Sequence, residues 1–205
     1  MATIQELVAD VRLSEILLPE FQRGYVWKGD QVRGLVQSPY RKHPTGDFLT
    51  WKTANPGKVR GSKVEQEGNS ILLLDGQQRL TSLFVLFEGK APPFYEVESL
   101  FFNLHFNMQT EEFRFFQKTM MEGSPDWISV HAFLKEGFAA YLERLPKLDV
   151  EEQTLIQNNL ARLAKLDAIR NSYQVDQLSG DELTTEQVVL IFNRVNSADT
   201  LLTKA

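Results

Sequence analysis

An apolar run, Ser70-Ile71-Leu72-Leu73-Leu74, passes through Asp75-Gly76-Gln77-Gln78-Arg79 into a second apolar stretch, Leu80 to Phe87, whose spacing is that of an amphipathic helix. A strand that becomes a helix within two residues constrains the fold, because the two elements must pack on each other and the helix must start at the strand's carboxyl end. That start is an anion site by its physics. The first backbone N–H groups of a helix have no intrahelical acceptor, and the macrodipole is positive there. Gly76 permits a tight turn and close approach of a ligand, Gln77 and Gln78 add uncharged donors and acceptors, and Arg79 offers a planar fork suited to phosphate oxygens. The alternative is local architecture: Asp75 capping the helix, Gly76 turning, and a solvated first turn.

Two other segments repeat the chemistry. Leu18-Pro19-Glu20-Phe21-Gln22-Arg23-Gly24-Tyr25-Val26-Trp27 places Gln22 and Arg23 among aromatic residues, and Phe192-Asn193-Arg194-Val195-Asn196-Ser197 places two amides three residues apart on one helical stripe. These three segments, in this order, resemble the N-terminal domain of the GmrSD-type restriction endonucleases, a family marked by its Asp-Gly-Gln-Gln-Arg box and similar in fold to ParB and sulfiredoxin. The resemblance covers nearly the whole chain. It implies a nucleotide-binding, NTP-hydrolysing regulatory domain of a DNA restriction and phage-defence protein, working with NTP and Mg2+. Carried onto this sequence, Asp75, Gln77, Gln78 and Arg79 would be catalytic, with Asp75 the candidate metal ligand. Gln22, Arg23, Gly76, Arg79, Asn193 and Asn196 would bind the nucleotide. One position departs from the family pattern: Asp199 stands where a glycine usually follows the Asn-Ser pair, which puts a carboxylate near the proposed phosphates.

Composition narrows the alternatives. With 205 residues and 42% hydrophobic content the chain can bury a full core. It has no cysteine, which excludes thiolate chemistry, including sulfiredoxin activity, and agrees with a reducing compartment. No apolar run reaches the length of a membrane span and Met1-Ala2-Thr3-Ile4-Gln5 lacks a signal-peptide pattern, so a cytoplasmic location and no membrane partner are expected. His43, His105 and His131 are dispersed, which is unlike an HNH nuclease and favours structural roles. Net charge is −5, yet between Arg33 and Lys63 seven basic residues face Asp47 alone. Within it, Lys52, Lys58, Arg60 and Lys63 are candidate DNA contacts, or otherwise part of a solvated loop. A non-catalytic DNA-binding module of the same ParB-like class is therefore the rival function, with a ParB-like nuclease behind it.

The expected fold is α+β: a ParB/sulfiredoxin-like lobe over residues 1–120 and a packed helical part over 121–205 that closes the site. Thr3-Ile4-Gln5-Glu6 opens the first helix with a capping box, and Asp30 caps a second that Pro39 stops. Strands are expected near 15–18, 48–51, 100–107 and 113–116, and helices over 130–145, 150–167 and 185–195. The ending Leu201-Leu202-Thr203-Lys204-Ala205 reads as the approach to another element, so a longer parent protein is expected.

Overall fold

A computed structural model describes residues 3–54, 56–61, 70–95, 102–144, 147–171, 175–179 and 186–191. It is an α+β fold. In chain order come α1 (Ile4–Arg12), β1 (Ile16–Leu17), α2 (Gly29–Tyr40), β2 (Phe48–Thr53), β3 (Ser70–Asp75), α3 (Gln77–Glu88), β4 (Leu104–Asn107), β5 (Phe113–Phe115), α4 (Lys118–Met121), β6 (Trp127–Ser129), α5 (Val130–Glu136), α6 (Phe138–Leu142), α7 (Val150–Asn158), α8 (Leu160–Asp167) and β7 (Val175–Ser179). Residues 186–191 are helical.

The site depends on the first sheet, ordered β1-β3-β2-β7. Interior strand β3 pairs in parallel with β1 and antiparallel with β2, and β2 pairs in parallel with β7. Alternation along β3 sends Leu72 and Leu74 to one face, where they meet Trp51, Val59 and Val188, and Leu73 to the other, against the main core. That core draws on residues from Ile4 to Ile169, including Phe48, Leu83, Phe84, Phe106, Phe133 and Leu163. A three-stranded sheet, β5-β4-β6, packs beside it, and the expected phenylalanine-rich pair is its central strand β4 with edge strand β5.

Several local expectations change. The capping box of α1 forms, with Glu6 N–H donating to Thr3 Oγ1 at 3.1 Å and Thr3 N–H donating to Glu6 Oε2 at 2.7 Å. Asp30 does not cap α2: Lys28 is the cap residue, its N–H taken by Gln31 Oε1 at 2.7 Å, and Asp30 lies in the first turn, paired with Arg33. Pro39 sits inside the last turn instead of ending the helix before it. The helix expected over 130–145 breaks at Gly137, and that over 150–167 breaks at Asn159. Most relevant to the site, α3 is not amphipathic in its surroundings. Ten of its 12 residues are buried, Gln77 and Gln78 among them, so the helix runs through the centre of the molecule.

Candidate functional site

Gly76 joins β3 to α3 in a left-handed conformation, φ 91° and ψ 9°, which only glycine adopts without strain. A Cβ there would also run into the ring of Phe48, the first residue of β2. No side chain caps α3 and its first turn holds no acid, so the leading N–H groups and the positive helix end are left for another acceptor. They open on a cleft of about 640 Å3, walled on one side by Leu74 to Arg79 and on the other by Phe21, Gln22, Arg23 and Trp27. The two sequence motifs thus face each other across one cavity.

They are also each other's hydrogen-bond partners. β1 ends opposite Leu72, and just beyond it Gln22 Nε2 donates to the carbonyls of Leu73 and Leu74, supplying β3 with donors where the strand pairing stops. In return the box holds the loop. Gln77 Nε2 donates to Arg23 O at 2.6 Å and meets the Tyr95 hydroxyl. Gln78 Oε1 accepts the N–H groups of Val26 at 2.8 Å and Trp27 at 3.3 Å, while its Nε2 donates to Gly24 O at 3.1 Å. Ser82, one turn further along α3, gives its hydroxyl proton to Gln78 O at 2.7 Å. A serine has one such proton, so the 2.8 Å contact between Ser82 Oγ and Tyr25 has Tyr25 as donor. Burial pushes the Tyr25 phenol up to about 12, which keeps it protonated for that bond.

The two arginines behave differently. Arg79 Nη2 donates to Asp47 O at 2.6 Å and to Asp75 Oδ2 at 3.1 Å, tying the start of β2 to the β3–α3 junction. The guanidinium carbon lies 5.7 Å from the Phe48 ring centroid, and Gly46 leaves it room, since a Cβ there would come within 2.8 Å of Nη1. Its Nε is buried without an acceptor, an uncommon state for a guanidinium donor. Arg23 is exposed, and its carbonyl, not its side chain, carries its bond to the box.

The other candidate residues separate from this group. Arg60 turns inward: its guanidinium donates to Gln22 O and stacks 5.6 Å from the Tyr95 ring centroid, so it fastens the loop from behind. Lys52, on β2, and Lys58 are exposed. Lys63, Asn193, Asn196 and Asp199 lie outside the described residues. Among the described residues, no three His, Asp or Glu side chains are grouped to hold a metal ion; Asp75 is the carboxylate lining the cleft. Sequence reasoning missed Ser82, Tyr95 and Asp47. Ser82 had a signal, four residues after Gln78 and therefore on its helical face. Tyr95 and Asp47 had none, being brought in by tertiary packing.

The site is a strand–glycine–helix junction in an α+β module, with an uncapped, arginine-bearing helix start facing a clamped loop. The chain belongs to the GmrSD restriction endonuclease N-terminal domain family, whose model matches residues 4–205. It is also similar to uncharacterized protein MJ0686 of Methanocaldococcus jannaschii, 35% identical over 91 residues, covering 38% of this chain. The match spans 16% of that relative's length. No helix among the described residues is long and apolar enough to cross a membrane.

Proposed function

We propose that this domain binds a nucleoside triphosphate at the start of α3 and, with Mg2+, hydrolyses it as the regulatory part of a DNA-restriction protein. The observation that carries the reading is the uncapped, acid-free first turn of α3 opening on a ligand-sized cleft beside Arg23 and Arg79. Backbone N–H groups from Gly76 to Gln78 and the two guanidiniums hold the phosphates and stabilise charge that develops during phosphoryl transfer. Asp75 fits a hard cation bound through one carboxylate plus phosphate and water oxygens; Mg2+ would supply charge neutralisation there. Gln78 has its amide engaged on both ends, whereas Gln77 Oε1 meets no donor among the described residues. Of the two, Gln77 therefore orients the attacking water, and Gln22 and Gln78 set the loop's position. Asn193 and Asn196, outside the described residues, remain nucleotide-binding candidates on the family resemblance alone. The small mixed sheet with this junction at its centre supports a ParB/sulfiredoxin-like fold for the lobe.

The rival is a DNA-binding module without catalysis, acting through Lys52, Lys58, Arg60 and Lys63. Arg60 is already engaged on Gln22 O, which removes one cation from that footprint. Calorimetric titration with Mg·NTP and with duplex DNA at two salt concentrations separates the two. The nucleotide reading predicts saturable NTP binding that changes little with salt. Binding of DNA alone, with log K falling by about 0.9 per phosphate contact for each unit of log salt, favours the rival.

A further inference from the structure

Behind Phe21 lies a second, smaller compartment of about 200 Å3 that shares Phe21 and Leu74 with the phosphate cleft. Its chemistry is the opposite of its neighbour's. Trp51, Leu72, Leu74 and Val188 give it an apolar floor, Pro19 and Pro56 add flat apolar walls, and Glu20 and Lys58 bring polar groups to its lining. Phe21 is 46% exposed, whereas seven of the 12 described phenylalanines are buried, and it stands where the two compartments meet. Its backbone is not adrift: the next residue, Gln22, is fixed by its own Nε2 on the β3 carbonyls of Leu73 and Leu74 and by the Arg60 guanidinium on its carbonyl.

Resting on the nucleotide reading above, we infer that this slot receives the nucleobase, stacked on Phe21, while the phosphates lie at the start of α3. A nucleotide is an anion joined to a flat ring with apolar faces, and the two adjoining compartments divide in the same way. Aromatic stacking is available to any base through its π-face, and burial against Trp51 and the leucines adds to it. Glu20 and Lys58 are exposed enough to meet the ring's polar edge without being buried by it.

The test compares inorganic tripolyphosphate, which has phosphates and no base, with ATP, GTP, CTP and UTP, each with Mg2+, by calorimetry on the full chain. In the wild type at least one nucleotide should bind about tenfold or more tightly than tripolyphosphate. Phe21→Ala should lose about tenfold in affinity for that nucleotide and leave tripolyphosphate binding unchanged, and Phe21→Trp should restore the nucleotide affinity. Equal binding of tripolyphosphate and every nucleotide, or an equal loss of both in Phe21→Ala, overturns the base slot and leaves the phosphate site standing. Binding of neither ligand overturns the phosphate site and the base slot together.

Discussion

Gln78 accepts the backbone N–H of Val26 at 2.8 Å across 52 positions of sequence, and through that bond the start of the central helix sets the shape of the opposite wall of the cleft. A glutamine suits the task because one side chain both accepts from Val26 and Trp27 and donates to Gly24. Gln78→Ala strands all three backbone groups, two donors and an acceptor. We expect a loss of about 1–3 kcal/mol in urea denaturation and faster hydrogen exchange at the Val26 amide. Gln78→Glu keeps the acceptor and loses the donor to Gly24, so it should fall between. Unchanged exchange at Val26 in the alanine variant would show that the loop holds itself.

Gly76→Ala tests the junction. The left-handed backbone and the encroachment on Phe48 act together, so we expect destabilisation of about 1–3 kcal/mol, with Tm falling to match. Stability equal to wild type would mean that the strand-to-helix turn can be made another way.

Away from the cleft, Glu111 joins the β4–β5 turn to two helices. It accepts from Tyr40 Oη at 2.7 Å and pairs with Arg162 Nε and Lys165 Nζ, each at 3.2 Å. The Tyr40 hydrogen bond first, and then the two cations, hold its carboxyl below the ordinary value of 4.5 despite some desolvation. A depressed folded-state pKa contributes stability that is present above the ordinary value and is lost as pH falls through the folded one. Melting temperatures followed downward from neutral pH should therefore drop more steeply below about pH 4.5 in wild type than in Glu111→Gln. Parallel curves would show that the network contributes nothing pH-dependent.

The β3–α3 junction and its neighbour loop were legible because period-2 and period-3.6 patterns meet at an Asp-Gly pair, a local signal. What the side chains do there was not. Gln22 and Gln78 look like solvent-facing amides in sequence, and only the short β1 and the buried course of α3 turn them into backbone partners. The same limit hid β7: Val175-Asp176-Gln177-Leu178-Ser179 has two apolar residues and pairs with a strand over a hundred positions away. The breaks at Gly137 and Asn159 interrupt apolar spacing too briefly to register in a helical window.

Arg79 joins structure and ligand chemistry in one side chain. Removing it frees Asp47 O and leaves Asp75 without its cation, so Arg79→Ala should lower both Tm and nucleotide affinity. Arg79→Lys, which keeps the charge without the planar fork, should recover part of the stability and less of the affinity. A variant that loses only stability would make the arginine purely architectural.

Arg23 carries the central claim more cleanly, since its side chain is exposed while its backbone is held by Gln77. The decisive measurement is calorimetric titration of Mg·NTP into wild type and Arg23→Ala, with thermal melts of both. A charge-assisted phosphate contact is worth about 1.5–3 kcal/mol, so the account predicts an affinity loss of tenfold or more with Tm unchanged. Equal nucleotide affinity in the two proteins, at equal Tm, would contradict it.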